Sequence, residues 1–91
     1  MTYAVIDGGA ITDRAELHRQ LARALELPDW YGANLDALYD CLTDLPGGAE
    51  LHLVRFDALE QALGDYAPRL ECVLRRAAAE NPRLSIALER G

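Results

Sequence analysis

Asp36 and Asp40 stand four residues apart in the stretch Leu27–Thr43, LPDWYGANLDALYDCLT, shortly after two adjacent aromatics, Trp30 and Tyr31. Two carboxylates at that spacing on one helix admit two kinds of chemistry. They can work as an acid–base pair or as ligands for a hard cation such as Mg²⁺. They can also present negative charge to a positively charged partner. The first use needs companions that the chain lacks. There is no glycine-rich phosphate loop, HExxH motif, Ser/His/Asp spacing or zinc pattern, and Gly8-Gly9 does not extend to GxGxxG. The second use draws on more of the residues. Trp30 and Tyr31 in the loop, with Tyr39 further on, are apolar anchors beside charges that set register, the composition of an interaction hot spot.

The elements that must position these groups follow from the pattern. A helix entered at Asn34 brings Leu35, Leu38, Cys41, Leu42 and Leu45 to one side. Asp36, Asp40, Thr43 and Asp44 fall on the opposite side, flanked by Tyr39. Asp36 and Asp40 repel one another at i,i+4, and Asp44 opposes the helix macrodipole near its negative end. Stability alone would avoid both choices, so this face reads as a binding surface for positive charge. Two adjacent loop residues seldom both point inward, so at least one of Trp30 and Tyr31 is expected at the surface.

The charge distribution agrees. The chain has net charge −6, with 15 acidic residues and 9 basic ones, all arginine. Between Ala24 and Val54 lie Glu26, Asp29, Asp36, Asp40, Asp44 and Glu50 with no arginine, so the remaining residues sum to zero. One third of the chain therefore carries the whole excess. Nucleic acid and anionic membrane are disfavoured as partners and a basic protein is favoured, with a merely solvated acidic surface as the alternative that charge alone leaves open.

The 91 residues suit one domain spanning 1–91. No signal peptide or membrane-spanning run is apparent, and Cys41 and Cys72 form neither a CxxC pair nor a metal cluster. A cytoplasmic protein with reduced thiols, needing no metal or cofactor, is expected.

In chain order, Tyr3–Ile6 reads as a strand buried on both faces, ended by Asp7-Gly8-Gly9. Asp13 and Glu16 have capping-box spacing before a helix with Leu17, Leu21 and Leu25 on its apolar stripe, running to about Glu26. His18 beside that stripe reads as a packing residue. After the central helix, Pro46-Gly47-Gly48 breaks the chain and Leu51–Val54 forms a second strand, with His52 structural or exposed. Asp57 and Glu60 repeat the capping spacing before a short helix ending at Gly64. Pro68 opens another helix, whose stripe is Leu70, Val73, Leu74, Ala77 and Ala78 and which Asn81-Pro82 ends. Leu84–Leu88 is the third strand. The order β-α-α-β-α-α-β implies an α/β fold, a small three-stranded parallel sheet packed by about four helices.

The chain resembles the barstar family, intracellular inhibitors of barnase-type ribonucleases. The resemblance runs from Tyr3 to Leu88. It rests on AVI-x-G, on Leu17-His18, and above all on Leu27-Pro28 followed by Tyr31-Gly32-x-Asn34-Leu35-Asp36-Ala37-Leu38-x-Asp40-Cys41-Leu42-Thr43. It implies an acidic, barstar-like immunity protein that pairs with a basic, barnase-like ribonuclease as a heterodimer. The central helix and its preceding loop would plug the enzyme's active site. Asp40 would replace an RNA phosphate, Asp36 would meet another basic group, and Trp30 would stack near a catalytic histidine. Gly32, Asn34, Leu35 and Thr43 match further contact positions. Three positions depart from the family. Tyr39 replaces a tryptophan, Leu45 an aromatic, and Arg76 a glutamate that faces a basic group on the enzyme. The expectation is therefore a related but different ribonuclease, with Asp44 restoring part of the negative charge. A barstar-like module for another basic toxin or regulatory protein is the alternative.

Overall fold

The computed structural model describes residues 2–91. Its elements are β1 (Thr2–Asp7), a 3₁₀ turn (Gly8–Ala10), α1 (Arg14–Ala24), α2 (Leu35–Thr43), β2 (Ala49–Val54), α3 (Phe56–Leu63), α4 (Tyr66–Glu80) and β3 (Leu84–Leu88). The three strands form one parallel sheet in the order β1-β2-β3. Ala4 lies opposite Leu51, and Leu51 opposite Ile86. The α/β class and the element order expected above are both present.

The expectation that β1 is buried on both faces is wrong. Ala4 and Ile6 are buried, whereas Tyr3 and Val5 are exposed. The strand order supplies the reason. Two crossovers of the usual right hand that advance the same way across a sheet put their helices on the same side. That side, lined by Ala4, Ile6, Ala49, Leu51, Leu53 and Leu84, holds the core. On the other side the Tyr3 ring rests against His52, with ring centres 4.9 Å apart.

Local chemistry sets the helix ends. The Asp13 carboxylate accepts from the Glu16 N–H at 2.7 Å, so α1 starts where its capping residues place it. It stops at Ala24, and Glu26 takes a left-handed φ of 54°. The cap expected at Asp57 does not form. Instead Arg55, with φ 51°, precedes α3, and Asp57 lies in the first turn, where it accepts from the Gly91 N–H at 3.0 Å. The Asp7 carboxylate also accepts from Gly9 N–H and pairs with the Arg55 guanidinium. That pair holds the turn after β1 against the start of α3. A Cβ on Gly8 would come within 2.2 Å of the Arg55 carbonyl oxygen, so glycine is needed for this close approach. Helix α4 begins at Tyr66, which places Pro68 in its first turn.

The principal neighbour of α2 is α4. Leu35, Leu38 and Leu42 enter the common core, and Cys41 is also buried. At the far end, buried Asn81 closes α4 and reaches across to α2. Its Nδ2 donates to the Leu42 carbonyl at 2.9 Å, while its Oδ1 accepts from Arg83 N–H at 3.0 Å. Asn81 thus adds a side-chain donor to a carbonyl at the end of α2 whose backbone partner, Leu45 N–H, is at a long 3.4 Å. Among the described residues, no helix is long and apolar enough to cross a membrane.

Candidate functional site

Asn34 starts the acidic helix and the site. Its Oδ1 accepts from the Ala37 N–H at 2.8 Å, capping α2, and its Nδ2 donates to the Gly32 carbonyl at 3.2 Å. A Cβ on Gly32 would lie 3.2 Å from that Nδ2, so the turn is closely fitted there. Ala33 between them takes a left-handed φ of 52°. A non-glycine residue in that region carries backbone strain of order 1 kcal/mol or more. The chain into α2 is therefore held by its cap in a conformation it would not choose alone.

From that start Asp36, Asp40 and Asp44 follow at successive i+4 steps, all exposed. None has an ion-pair partner among the described residues. Asp44 lies one residue past the helix as its C-cap, and its N–H donates to the Asp40 carbonyl at 3.2 Å. The Thr43 hydroxyl is half-buried and turned to the helix backbone, within 3.0 Å of the Tyr39 carbonyl and 3.1 Å of the Asp40 carbonyl. Leu35 is buried, so of this group it contributes packing more than surface. Tyr39 is half-buried, with the Arg76 guanidinium carbon 5.4 Å from its ring centre. Cys41 is buried and Cys72 exposed, both free thiols. Burial pushes the Cys41 thiol up, and the charges of Asp40 and Asp44 add to the effect.

The two loop aromatics divide their roles. Trp30 is 76% exposed, the most exposed large apolar side chain among the described residues. With Pro28, Cys41, Asp44 and Leu45 it borders a groove of about 310 Å³. Tyr31 turns inward. Its hydroxyl bonds to Nδ1 of buried His18, whose Nε2 lies 2.6 Å from the Tyr66 hydroxyl. A Tyr31–His18–Tyr66 chain therefore ties the loop to α1 and α4. His18 is a packing residue, as its place beside the apolar stripe suggested. Its two phenol partners are 13 and 48 residues away, so no local pattern marks them.

This chain has a consequence for stability. Burial holds the His18 pKa below its ordinary 6.5, so the folded protein favours the neutral ring. The unfolded chain then binds the proton more readily. The contribution of His18 is full above pH 6.5 and is lost as pH falls from there toward the lower folded value. Denaturant unfolding at a series of pH values is expected to show this loss in the parent and a flatter profile in His18→Gln. Parallel profiles for the two proteins would contradict it.

Beyond these groups, the structure brings Asn34 and Asp36 beside Arg14, Tyr66 and Arg69 around a second pocket of about 400 Å³. The sequence offered no signal for it, because its residues come from three helices. No third ligand joins Asp36 and Asp40: among the described residues, no group of three or more His, Cys, Asp or Glu side chains could hold a metal ion.

The surface so assembled is an exposed tryptophan, a capped helix and three unpaired carboxylates in a row. Comparison with known proteins gives it a context. The family model described as "Barstar (barnase inhibitor)" matches residues 1–89. A Bacillus subtilis (strain 168) protein named "Putative ribonuclease inhibitor YrdF" is 41% identical over 83 residues, spanning 88% of this chain and 89% of that protein.

Proposed function

Because the chain belongs to the barstar family, whose members are inhibitor proteins rather than enzymes, we propose that it inhibits a ribonuclease by occupying the active site with α2 and the loop before it. The observation that carries this reading is the row of Asp36, Asp40 and Asp44, exposed and without cationic partners of their own. A ribonuclease must bind phosphate with charge-assisted donors, and a carboxylate can take the same donors. Asp40, at the middle of the row, takes the phosphate position. Asp36 meets a second basic group nearer the start of the helix, and Asp44 a third at its end. Trp30 supplies the stacking anchor. Tyr39 packs at the border of the contact, and Gly32, Asn34, Leu35 and Thr43 keep the backbone of the plug in shape.

The partner in this reading is a small, basic, barnase-like ribonuclease bound as a heterodimer, the protein acting as a cytoplasmic immunity factor. Steering by the acidic segment gives fast association that falls with salt. RNA cleavage by a panel of small guanyl-preferring ribonucleases, barnase among them, tests this at low and high salt. Stoichiometric inhibition of at least one member, slower to develop at high salt, is expected. Folded protein that leaves every member active would refute the proposal and point to a basic partner of another kind.

A further inference from the structure

The acidic row is bordered by cations that the fold does not use. Arg14, Arg69 and Arg76 have no carboxylate within ion-pair distance among the described residues. Arg19, Arg55, Arg75 and Arg90 are each paired with an Asp or Glu, whereas Arg23 and Arg83 are also unpaired but lie over no aromatic ring among the described residues. Arg14, Arg69 and Arg76 differ from those two in lying against aromatic rings. The guanidinium carbons of Arg14 and Arg69 lie 4.3 and 5.6 Å from the centre of the Tyr66 ring, and that of Arg76 lies 5.4 Å from the Tyr39 ring. Arg69 and Arg76 are seven residues apart on α4, hence on one face of it. Helix α4 packs beside α2, so a basic ridge runs along the acidic one.

At one end the two ridges meet. Arg14, Arg69 and Tyr66 share the 400 Å³ pocket with Asn34 and Asp36, yet Asp36 is not within ion-pair distance of either guanidinium. Arg14 is the first residue of α1, and Arg69 is in the opening turns of α4. Positive charge at those ends opposes the helix dipoles, so neither arginine is placed for the stability of its own helix. Cation–π contact biases each side chain toward this placement before any partner arrives, which lowers the ordering cost of using it.

We propose that the cognate ribonuclease carries carboxylates flanking its basic cleft, one entering the Arg14–Tyr66–Arg69 pocket and another meeting Arg76. The inference rests on the ribonuclease-inhibitor reading and specifies the partner's rim. A planar guanidinium receives a carboxylate through two parallel N–H donors. The same groups repel an enzyme whose rim is basic throughout, so they select among ribonucleases with similar active sites.

The test uses the panel above with wild type, the double variant Arg14→Gln/Arg69→Gln, Arg76→Gln, Arg76→Glu and Asp40→Ala, each checked for folding by circular dichroism. For the ribonuclease inhibited most tightly, each neutralising change is expected to weaken inhibition about ten-fold, and Arg76→Glu by more. Against barnase itself, Arg76→Glu is expected to improve inhibition. Loss of inhibition with Asp40→Ala but none with the arginine variants would overturn the rim assignment and leave the active-site plug standing. Absence of inhibition by wild type across the panel would overturn both. Chemical-shift titration of the free protein with inorganic phosphate adds one more outcome. Saturable binding at Arg14 and Arg69, with inhibition unchanged by their replacement, would assign the pocket to a small anion and overturn the proposal.

Discussion

Asp40→Ala is expected to weaken inhibition of the partner ribonuclease by roughly 10²- to 10³-fold while leaving the free protein at least as stable as before. The magnitude follows from the phosphate-mimicking role. Removing one partner of a desolvated charge pair leaves cationic groups buried and unpaired, and that penalty adds to the lost attraction. The size of such effects is known in part from the barnase–barstar pair itself, so the range is not independent of this family. The stability half of the prediction comes from this chain. Asp40 sits at i+4 from Asp36 and i−4 from Asp44, near the C-terminal end of α2, without a cationic partner among the described residues. Removing its charge relieves like-charge repulsion and an unfavourable dipole contact, worth about a few tenths of a kcal/mol. Inhibition kinetics and denaturant unfolding on the same preparation check both halves. A variant that lost inhibition only because it unfolded would refute the assignment of Asp40 to the interface.

Leu38→Ala is expected to do the reverse. Leu38 is fully buried on the opposite side of the same helix and belongs to the common core. Truncating it removes apolar contacts and leaves a cavity, at a cost of about 2–5 kcal/mol. Domains of this size have about 5–15 kcal/mol in total, and each kcal/mol moves the midpoint by about 4–8 °C. A fall in Tm of at least about 8 °C is therefore expected by calorimetry. Near-parent stability would mean that α2 is not anchored as described. At temperatures where the variant is folded, inhibition should fall much less than for Asp40→Ala, because every acidic side chain keeps its place.

These two residues are two positions apart, and their contrast was legible in the sequence because helical periodicity separates them. The same holds for the order of elements, the Asp13 and Asn34 caps, the apolar stripe of α4 and the end of that helix at Asn81. Each is a local signal read over a few residues. What was not legible needed the three-dimensional arrangement. Tyr3 and Val5 stand in a run as apolar as that of a strand buried on both faces, and only the sheet order shows that one face is open. Asp57 has the spacing of a capping residue, but the turn at Arg55 starts α3 two residues earlier and gives the carboxylate to Gly91 instead. Asn81 was readable as a stop signal, whereas its bond to the Leu42 carbonyl joins residues 39 apart.

The site divides in the same way. The acidic row was plain from spacing and charge, and the adjacency of Trp30 and Tyr31 indicated that one would be exposed. Nothing local said that Trp30 would be the exposed one and that Tyr31 would reach His18. Arg76 stood out only by resemblance, as a reversal of charge. Its place on the Tyr39 ring makes it part of a ridge with Arg69, which no sequence spacing connects to Arg14.

In the proposed complex, α2 and its loop fill the active site of a ribonuclease. Steady-state kinetics on a dinucleotide substrate test it most directly, using the panel enzyme most strongly inhibited. Pure competition is expected: KM rises with inhibitor concentration, kcat at saturating substrate is unchanged, and a bound nucleotide product displaces the inhibitor. A fall in kcat with KM unaltered, or an inhibitor and nucleotide bound together, would contradict it, because the acidic helix would then lie outside the cleft.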